Sequence, residues 1–302
     1  MAHPSRSFGS VSVAMVTPMF EDGSIDIGSA RRLAGELVDS GCDALVINGT
    51  TGESPTTHTP EKDELISAVA AEVGQRAMII AGAGSNDTAH AVRIAQSAHQ
   101  AGAHGLLVVT PYYNRPSQEG VYRHMVAIVE STPLPAMLYD IPGRTGVAIE
   151  DHTMDRLAQH PQIRAIKDAT GNVAAGFDRM RRTGLEFYSG DDALNLAWLV
   201  HGASGVVSVV GHVAASSYAS MVAAIDAGQL EQARDISAGL APVCDAIMGT
   251  GQGAVLAKAA LMLQGRIATA TVRSPLVAAN PAELADLRTA LTLHGLLEDV
   301  SQ

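Results

Sequence analysis

The chain has 302 residues, of which 47% are hydrophobic but only 4% aromatic. This length fits one α/β barrel with an appendage, and the core must be built mainly from Ala, Val, Leu, Ile and Met. The formal net charge of −11 argues against nucleic acid or an anionic membrane as a partner, because both attract basic surfaces.

Cysteine usage and hydropathy indicate a cytoplasmic protein. Cys42 and Cys244 form no CxxC motif, and we expect both to be core thiols in a reducing compartment. The apolar run near the N-terminus is too short for a signal peptide and is broken by Thr17-Pro18. The uncharged stretch from Ala193 to Ile225 contains histidines, serines and glycines, so we interpret it as helix, strand and helix rather than as a membrane span.

Apolar, β-branched runs recur along the chain at intervals of roughly 20 to 35 residues, each short enough to be a buried strand. In chain order they are VSVAMVTP from Val11, ALVING from Ala44, AMIIAGAG from Ala77, GLLVVTP from Gly105, AMLYDIP from Ala136, IRAIKDA from Ile163, EFYSGDD from Glu186 and GVVSVVG from Gly205. Segments between them, such as IGSARRLAGELVDSG and NDTAHAVRIAQSAHQAG, have the apolar spacing of amphipathic helices, and several end at a glycine.

Apolar strands that alternate with helices predict a parallel sheet covered by helices, and eight such units predict a (β/α)₈ TIM barrel over residues 1–230. A doubly wound sheet is the alternative, but no GxGxxG follows the first strand. Residues 231–302 lack the strand pattern, and we expect them to form a C-terminal three-helix domain from LEQARDISAGLAPVCDAIM, GAVLAKAALMLQG and PAELADLRTALTLHGLL.

Lys167 is one of only three lysines, and we expect it to be the one that is buried. Lys62 lies in the charged stretch PEKDEL and Lys258 in an Ala-rich helical stretch, whereas Lys167 interrupts the apolar run IRAIKDATG. Burial disfavours the charged form of an amine, and a neutral lysine is a nucleophile toward carbonyl groups. This segment alone leaves two interpretations open, a Schiff-base lysine or a buried ion pair with Asp168 or another carboxylate.

Other polar residues also stand where predicted strands end, which is where a (β/α)₈ barrel places its active site. Tyr113 and Tyr139 offer phenols that can transfer protons, and the Thr50 hydroxyl can link them. Each tyrosine could equally be a core residue with its hydroxyl satisfied. The eleven histidines show no HExxH or comparable pattern, so we expect no metal site.

Carboxylate binding can be assigned to two of these strand ends. Backbone N–H groups around Thr51-Gly52 can bind a carboxylate without adding net charge, although Gly-Thr-Thr-Gly could also be only a turn. Arg144 can bind a second carboxylate through its planar guanidinium, or it could be an ordinary exposed loop residue.

Six motifs together resemble a known family. In order and spacing from about Val11 to the C-terminal helices, GTTGESPTT, VVTPYYNRPSQEG, LYDIPGRTG, IKDATGN, YSGDD and GVVSV are similar to the pyruvate-dependent class I aldolases of the dihydrodipicolinate synthase and N-acetylneuraminate lyase family. The resemblance implies a (β/α)₈ barrel with a C-terminal helical domain, assembled as a homotetramer that is a dimer of dimers.

The resemblance also implies a role for each candidate residue. Lys167 matches the lysine that forms the Schiff base with pyruvate, and Tyr139 matches the tyrosine that guides proton transfer. Thr50 and Tyr113 complete the proton relay, with Tyr113 crossing from the adjacent subunit. The residues that match substrate-binding positions are Thr51 and Val207 for pyruvate, Gly190 in the pocket wall, and Arg144 for the carboxylate of L-aspartate 4-semialdehyde.

The function that this resemblance implies is condensation of pyruvate with L-aspartate 4-semialdehyde to give 4-hydroxy-tetrahydrodipicolinate, in lysine and diaminopimelate biosynthesis. The imine on Lys167 would make any further cofactor unnecessary. One alternative is a related aldolase acting on a sugar acid or on 4-hydroxy-2-oxoglutarate, against which Arg144 and Tyr113 argue. The other is a non-catalytic barrel serving as a regulator or scaffold.

Feedback inhibition by L-lysine is expected to be weak or absent. Allosteric residues of the lysine-inhibited members match Ser54, Asn86 and Tyr112. At three further allosteric positions those members have His, His and Glu, where this chain has Thr59, Lys62 and His90. A cation at Lys62 and the loss of the acidic side chain should both weaken binding of L-lysine.

Overall fold

Eight parallel strands close into a barrel in the computed structural model, which describes residues 5–249 and 252–298. Each strand pairs with the next along the chain, and the last pairs with the first. The strands are β1 (Val11–Ala14), β2 (Ala44–Ile47), β3 (Met78–Gly82), β4 (Gly105–Val109), β5 (Ala136–Asp140), β6 (Ile163–Asp168), β7 (Glu186–Ser189) and β8 (Gly205–Ser208). The predicted (β/α)₈ fold is confirmed.

Helices follow the strands and continue beyond the last one. In the described part of the chain they are α1 (Ile27–Asp39), α2 (Glu61–Val73), α3 (Thr88–Gln100), α4 (Gln118–Val129), α5 (Pro142–Thr145), α6 (Asp151–Leu157), α7 (Val173–Thr183), α8 (Asn195–Val200), α9 (Gly211–Asp226), α10 (Leu230–Cys244), α11 (Gly253–Leu263) and α12 (Pro281–Leu293). Asp26, Asp87, Ser117 and Asn172 begin four of these helices, each accepting a hydrogen bond from a backbone N–H of the first turn.

The strands are buried on both faces, which explains their continuous apolar sequences. Alternate residues point into the barrel, and they form one cluster that comprises Phe8, Ala14, Ala44, Val46, Ile80, Leu107, Met137, Tyr139, Ala165, Tyr188 and Val207. Phe8 closes the amino end of this cluster, because its ring meets that of Tyr188 edge to face with centroids 6.3 Å apart. Gly105 leaves room there, since a Cβ would lie 2.9 Å from the Phe8 ring.

The C-terminal helices pack on the barrel through α9 and α10. Almost all of α11 is buried, including Lys258. Helix α10 begins at Leu230, beside the predicted domain boundary between residues 230 and 231, which stays a prediction. No single helix among residues 5–249 and 252–298 is both long and apolar enough to cross a membrane, and Leu230–Gly249 with Gly253–Leu263 reaches that length only as a pair bent by 119°.

The contact between α7 and α8 gives a stability prediction. A Cβ on Gly176 would lie 2.0 Å from Cη2 of Trp198, which is fully buried and stacked on Phe187. We expect Gly176→Ala to lower the free energy of unfolding by about 1–3 kcal/mol, because an added methyl in a filled core forces its neighbours to move. Urea unfolding at fixed protein concentration measures this change.

Gly239→Ala is the matched control, since Gly239 also lies within a helix but nothing is within 4 Å of its added Cβ. It should raise the free energy of unfolding by about 0.5–1 kcal/mol, because glycine is unfavourable inside a helix. Equal stability of the two variants would contradict the packing of Trp198 against α7.

Candidate active site

The site lies at the carboxyl end of the barrel, where β5 and β6 bring Tyr139 and Lys167 side by side. These residues are register partners, and the Nζ atom of Lys167 lies 4.5 Å from the centroid of the Tyr139 ring. On the other side Lys167 is the register partner of Tyr188 in β7. The amine therefore lies against the Tyr139 ring at the carboxyl end of the barrel, whereas the Tyr188 hydroxyl accepts from the Phe8 N–H and donates to Glu186 at the amino end.

Gly190 forms the wall against which the Lys167 stem packs. A Cβ at this position would lie 2.9 Å from both Cγ and Cε of Lys167, so a larger residue would displace the lysine. The Gly190 N–H donates to the carbonyl of Asp168 at 2.8 Å, which fixes the turn after β7. The sequence-predicted pocket wall therefore touches the predicted nucleophile.

Lys167 is buried, with 5% of its surface exposed, and its amine has no close partner. Among the described residues no carboxylate oxygen lies within 4.0 Å of Nζ, and Nζ donates no hydrogen bond. Burial lowers the pKa of Lys167 to about 8, while Asp192 opposes this shift and Arg144 adds to it. Near pH 8 a large share of the amine is therefore neutral and nucleophilic, and the buried ion pair considered from the sequence is not formed.

Asp192 is a part of the site that the sequence analysis did not single out. Its carboxylate accepts hydrogen bonds from the N–H groups of Val209 (2.8 Å) and Val210 (3.0 Å), from Asn195 at 3.0 Å, and from the Ser208 hydroxyl. These four donors hold an anion close enough to raise the pKa of Lys167. The two consecutive aspartates of YSGDD were the only indication of this residue in the sequence. The four donors are brought to its carboxylate only by the fold.

Tyr139 is 6% exposed and keeps its proton at neutral pH. Burial raises the pKa of its phenol to about 12, with Arg144 lowering it and Asp191 raising it. A phenol held in its acidic form next to an amine can give a proton to an oxygen that becomes negative there. Val207, another predicted site residue, lies in the same interior cluster as Tyr139.

A cavity of about 710 Å³ opens at Tyr139 and is lined by two more predicted residues, whereas Lys167 lies behind Tyr139 and is not among its lining residues. Thr50, Tyr139 and Arg144 all line it, so the structure brings these three together. Arg144 is exposed on the short helix α5, and no carboxylate of the described residues pairs with it. Its guanidinium is thus free to bind an anionic group that enters the cavity.

The loop after β2 presents unused backbone donors. The N–H groups of Thr50, Thr51 and Gly52 donate to no acceptor among the described residues, whereas the N–H of Glu53 donates back to the Thr50 carbonyl at 3.1 Å. Asn48 and Glu53, at the two ends of this loop, have positive φ angles of 57° and 58°. Consecutive free N–H groups in such a turn form a concavity suited to an anion.

Tyr113 is the predicted residue that the single chain does not bring to the others. Its side chain is 87% exposed, its φ is +73°, and its N–H donates to the Thr145 carbonyl at 3.1 Å. Tyr112, not Tyr113, lines the cavity. Tyr113 is therefore directed away from Lys167 of its own chain.

The expectation that Lys167 is the only buried lysine is wrong. Lys62 is 6% exposed and Lys258 is fully buried. Lys62 lines the outer part of the same cavity and donates to the carbonyl and hydroxyl oxygens of Ser54, both at 2.9 Å. Lys258 is paired with Glu53, which lies 205 residues away in sequence and so could not be read from the helical pattern.

Comparison with known proteins gives consistent results over nearly the whole chain. A sequence model described as the dihydrodipicolinate synthetase family matches residues 7–293. The 4-hydroxy-tetrahydrodipicolinate synthase of Kineococcus radiotolerans is 52% identical over 295 residues, which cover 98% of this chain and 96% of that protein.

Solved structures agree with this match. The dihydrodipicolinate synthase of Acinetobacter baumannii, described as complexed with pyruvate, is 35% identical with a TM-score of 0.93, covering 96% of this chain and 100% of that one. The enzyme of Cyanidioschyzon merolae, described as having lysine bound, is 39% identical with a TM-score of 0.92, covering 96% and 99%. The chain belongs to the dihydrodipicolinate synthetase family.

Proposed function

We propose that the chain condenses pyruvate with L-aspartate 4-semialdehyde to give 4-hydroxy-tetrahydrodipicolinate through a Schiff base on Lys167. The observation that carries this proposal is the buried Lys167 amine against the Tyr139 ring, with no hydrogen bond and no close carboxylate among the residues that the structure describes. The names of the relatives support the same reaction. The product would serve lysine and diaminopimelate biosynthesis in the cytoplasm.

The first half of the reaction activates pyruvate. Neutral Lys167 attacks the ketone carbon, and loss of water gives an imine. The pyruvate carboxylate accepts hydrogen bonds from the N–H groups of Thr51 and its neighbours, and Val207 helps to hold pyruvate. The imine withdraws electrons, so a proton leaves the methyl carbon and an enamine forms. No other cofactor is needed, because the imine is the electron sink.

The second half forms the new carbon–carbon bond. The enamine carbon attacks the aldehyde of the semialdehyde, whose carboxylate is bound by Arg144. Tyr139 protonates the alkoxide and is reprotonated through Thr50 and the partner subunit's Tyr113. The amino group that came from the semialdehyde then attacks the imine carbon. This step closes the ring of the product and releases the amine of Lys167.

We further propose a homotetramer, a dimer of dimers, in which Tyr113 completes the relay of the adjacent subunit. The exposed side chain and positive φ of Tyr113 support this, because they project the phenol away from its own cavity. The domain arrangement of residues 1–230 and 231–302 is part of the same proposal.

Trapping of the imine tests the central step. Incubation with pyruvate and sodium cyanoborohydride should leave a pyruvyl adduct on Lys167, identified by mass spectrometry of the digest. At limiting pyruvate the initial rate of trapping should rise with pH, pass half its maximum near pH 8 and level off about one pH unit higher, because the neutral amine fraction rises through the lowered pKa of Lys167.

Lys62 and Lys258 are internal controls, since both are buried lysines in the same digest but hydrogen-bond to oxygen atoms of the protein. Neither should carry an adduct at stoichiometric labelling. Absence of an adduct on Lys167 would overturn the proposed mechanism.

Substitution of Arg144 tests which aldehyde is used. Arg144→Ala should lower kcat/KM for L-aspartate 4-semialdehyde by about 10- to 100-fold, because it removes charge-assisted hydrogen bonds to the substrate carboxylate. The yield of the Lys167 pyruvyl adduct at saturating pyruvate should stay unchanged. Steady-state assays with varied aldehyde measure the first effect, and mass spectrometry after trapping measures the second.

Arg144→Lys is the control for charge alone and should lie between wild type and Arg144→Ala, because lysine lacks the planar fork. If Arg144→Ala leaves the semialdehyde reaction unaffected and a sugar-acid aldehyde or 4-hydroxy-2-oxoglutarate is turned over faster, the related aldolase is the better assignment.

Weak feedback inhibition is a further expected outcome. Burial lowers the pKa of Lys62 to about 8, so at pH 7 its amine is still mostly cationic and repels the ammonium groups of L-lysine. Submillimolar L-lysine should therefore leave the steady-state rate nearly unchanged. Lys62→Met should increase sensitivity to L-lysine. Strong inhibition of the wild type would contradict the expectation that Lys62 weakens the binding of L-lysine.

A further inference from the structure

A buried ion pair joins the C-terminal helices to the loop that carries Thr50 and Thr51. The Glu53 carboxylate closes this loop and is fully shielded from solvent, as is its partner Lys258 on α11. One carboxylate oxygen accepts a hydrogen bond from the Lys258 ammonium, and the other accepts one from the backbone N–H of Arg273 at 2.8 Å. We refer to Glu53, Lys258 and Arg273 as the Glu53 cluster.

The Arg273 side chain extends the attachment to the next part of the same loop. Its guanidinium donates to the Thr56 carbonyl at 2.7 Å and forms a bidentate pair with Glu61 at 2.5 and 2.8 Å. Its Nε atom donates to the Gly23 carbonyl at 2.9 Å. The segment after α11 therefore holds the loop after β2 through both a side chain and a backbone group.

The loop itself needs such support. Glu53 has a φ of +58°, in the left-handed region that residues other than glycine seldom adopt. Its carbonyl accepts the N–H groups of Thr56 (3.0 Å) and Thr57 (3.2 Å), so main chain and side chain are both fixed at this residue. Since Glu53 directly follows Gly52, fixing it sets the direction of the unused N–H groups at Thr50, Thr51 and Gly52.

The charge of Lys258 has a second effect. The Glu53 carboxylate lies next to a loop that must accept another carboxylate, and two like charges at short range repel each other. Lys258 neutralises Glu53 and also donates to the Thr271 carbonyl at 2.6 Å, which fixes the ammonium in place. The loop is thereby held by an anion whose charge is cancelled.

We propose that Glu53 and Lys258 are positioning residues for pyruvate: their ion pair holds the N–H groups of Thr50, Thr51 and Gly52 toward the substrate carboxylate. This inference rests on the proposed function, because it takes pyruvate as the ligand of the loop. It gives the C-terminal helices a part in substrate binding, although neither residue touches the reacting atoms.

The experiment compares Lys258→Met with the double variant Glu53→Gln/Lys258→Met. Both remove the ion pair, but only the first leaves a buried anion beside the loop. We expect both to raise the KM for pyruvate, and the half-saturating pyruvate concentration for trapping on Lys167, by about tenfold, the effect of losing one well-oriented hydrogen bond to a charged group. Saturating pyruvate should still label Lys167 in each folded variant.

Arg266→Met is the matched control. Arg266 lies in the same segment after α11, pairs with Glu36 of α1 at 2.6 Å and donates to the His212 carbonyl after β8, but within the described residues it makes no hydrogen bond to the loop after β2. Arg266→Met should leave the KM for pyruvate unchanged. The control thereby distinguishes a general loosening of the C-terminal segment from the specific loss of the Glu53 cluster.

Three results would overturn the inference. If the ion pair only stabilises the fold, its loss would lower the fraction of labelled protein and kcat in proportion, while the KM for pyruvate stays constant. If only the uncancelled charge of Glu53 matters, the KM for pyruvate would be raised in Lys258→Met and would return to the wild-type value in the double variant. If Lys258→Met does not fold, an unchanged KM in the double variant refutes the inference and a raised KM supports it. Absence of a Lys167 adduct in the wild type would instead refute the proposed function.

Discussion

The active site depends on a buried amine that no oxygen atom of residues 5–249 and 252–298 satisfies. Lys167 stands inside a barrel whose interior is mostly apolar and aromatic, so its charged form is poorly solvated and its neutral form is readily populated. The barrel imposes this environment, since the side chain alternates inward at the carboxyl end of β6 between Tyr139 and Tyr188. Asp192, held by four donors, moderates the shift from a distance and keeps the pKa near 8.

Much of this arrangement could be predicted from the sequence because it depends on local pattern. Eight apolar runs specify eight buried strands, and the parallel barrel places whatever follows each strand at one end. Lys167, Tyr139, Thr50 and Arg144 could therefore be assigned to a common edge before any coordinates were known. Of these, Thr50, Tyr139 and Arg144 line one cavity, and Tyr139 touches Lys167.

Most of the features that escaped prediction depend on contacts between distant parts of the chain. The Glu53–Lys258 pair spans 205 residues, and an Ala-rich helix carries no sign that its lysine will meet a carboxylate. Three of the four donors that hold Asp192 come from the end of β8 and the residues that lead into α9. Tyr113 differs again, because its function would require a second copy of the chain and its position in one chain is simply exposed.

The three lysines form an internal comparison that explains why only one is suited to attack a carbonyl. Lys258 is paired with Glu53, and Lys62 donates two hydrogen bonds to Ser54, so each amine already has oxygen partners. Lys167 has burial like the others but donates no hydrogen bond within the described chain. Burial lowers the pKa of both Lys62 and Lys167 to about 8, so a lowered pKa alone does not distinguish the nucleophile. The distinguishing property is an unengaged amine facing a protonated phenol, because attack on a ketone needs a free electron pair and a proton donor for the oxygen that leaves.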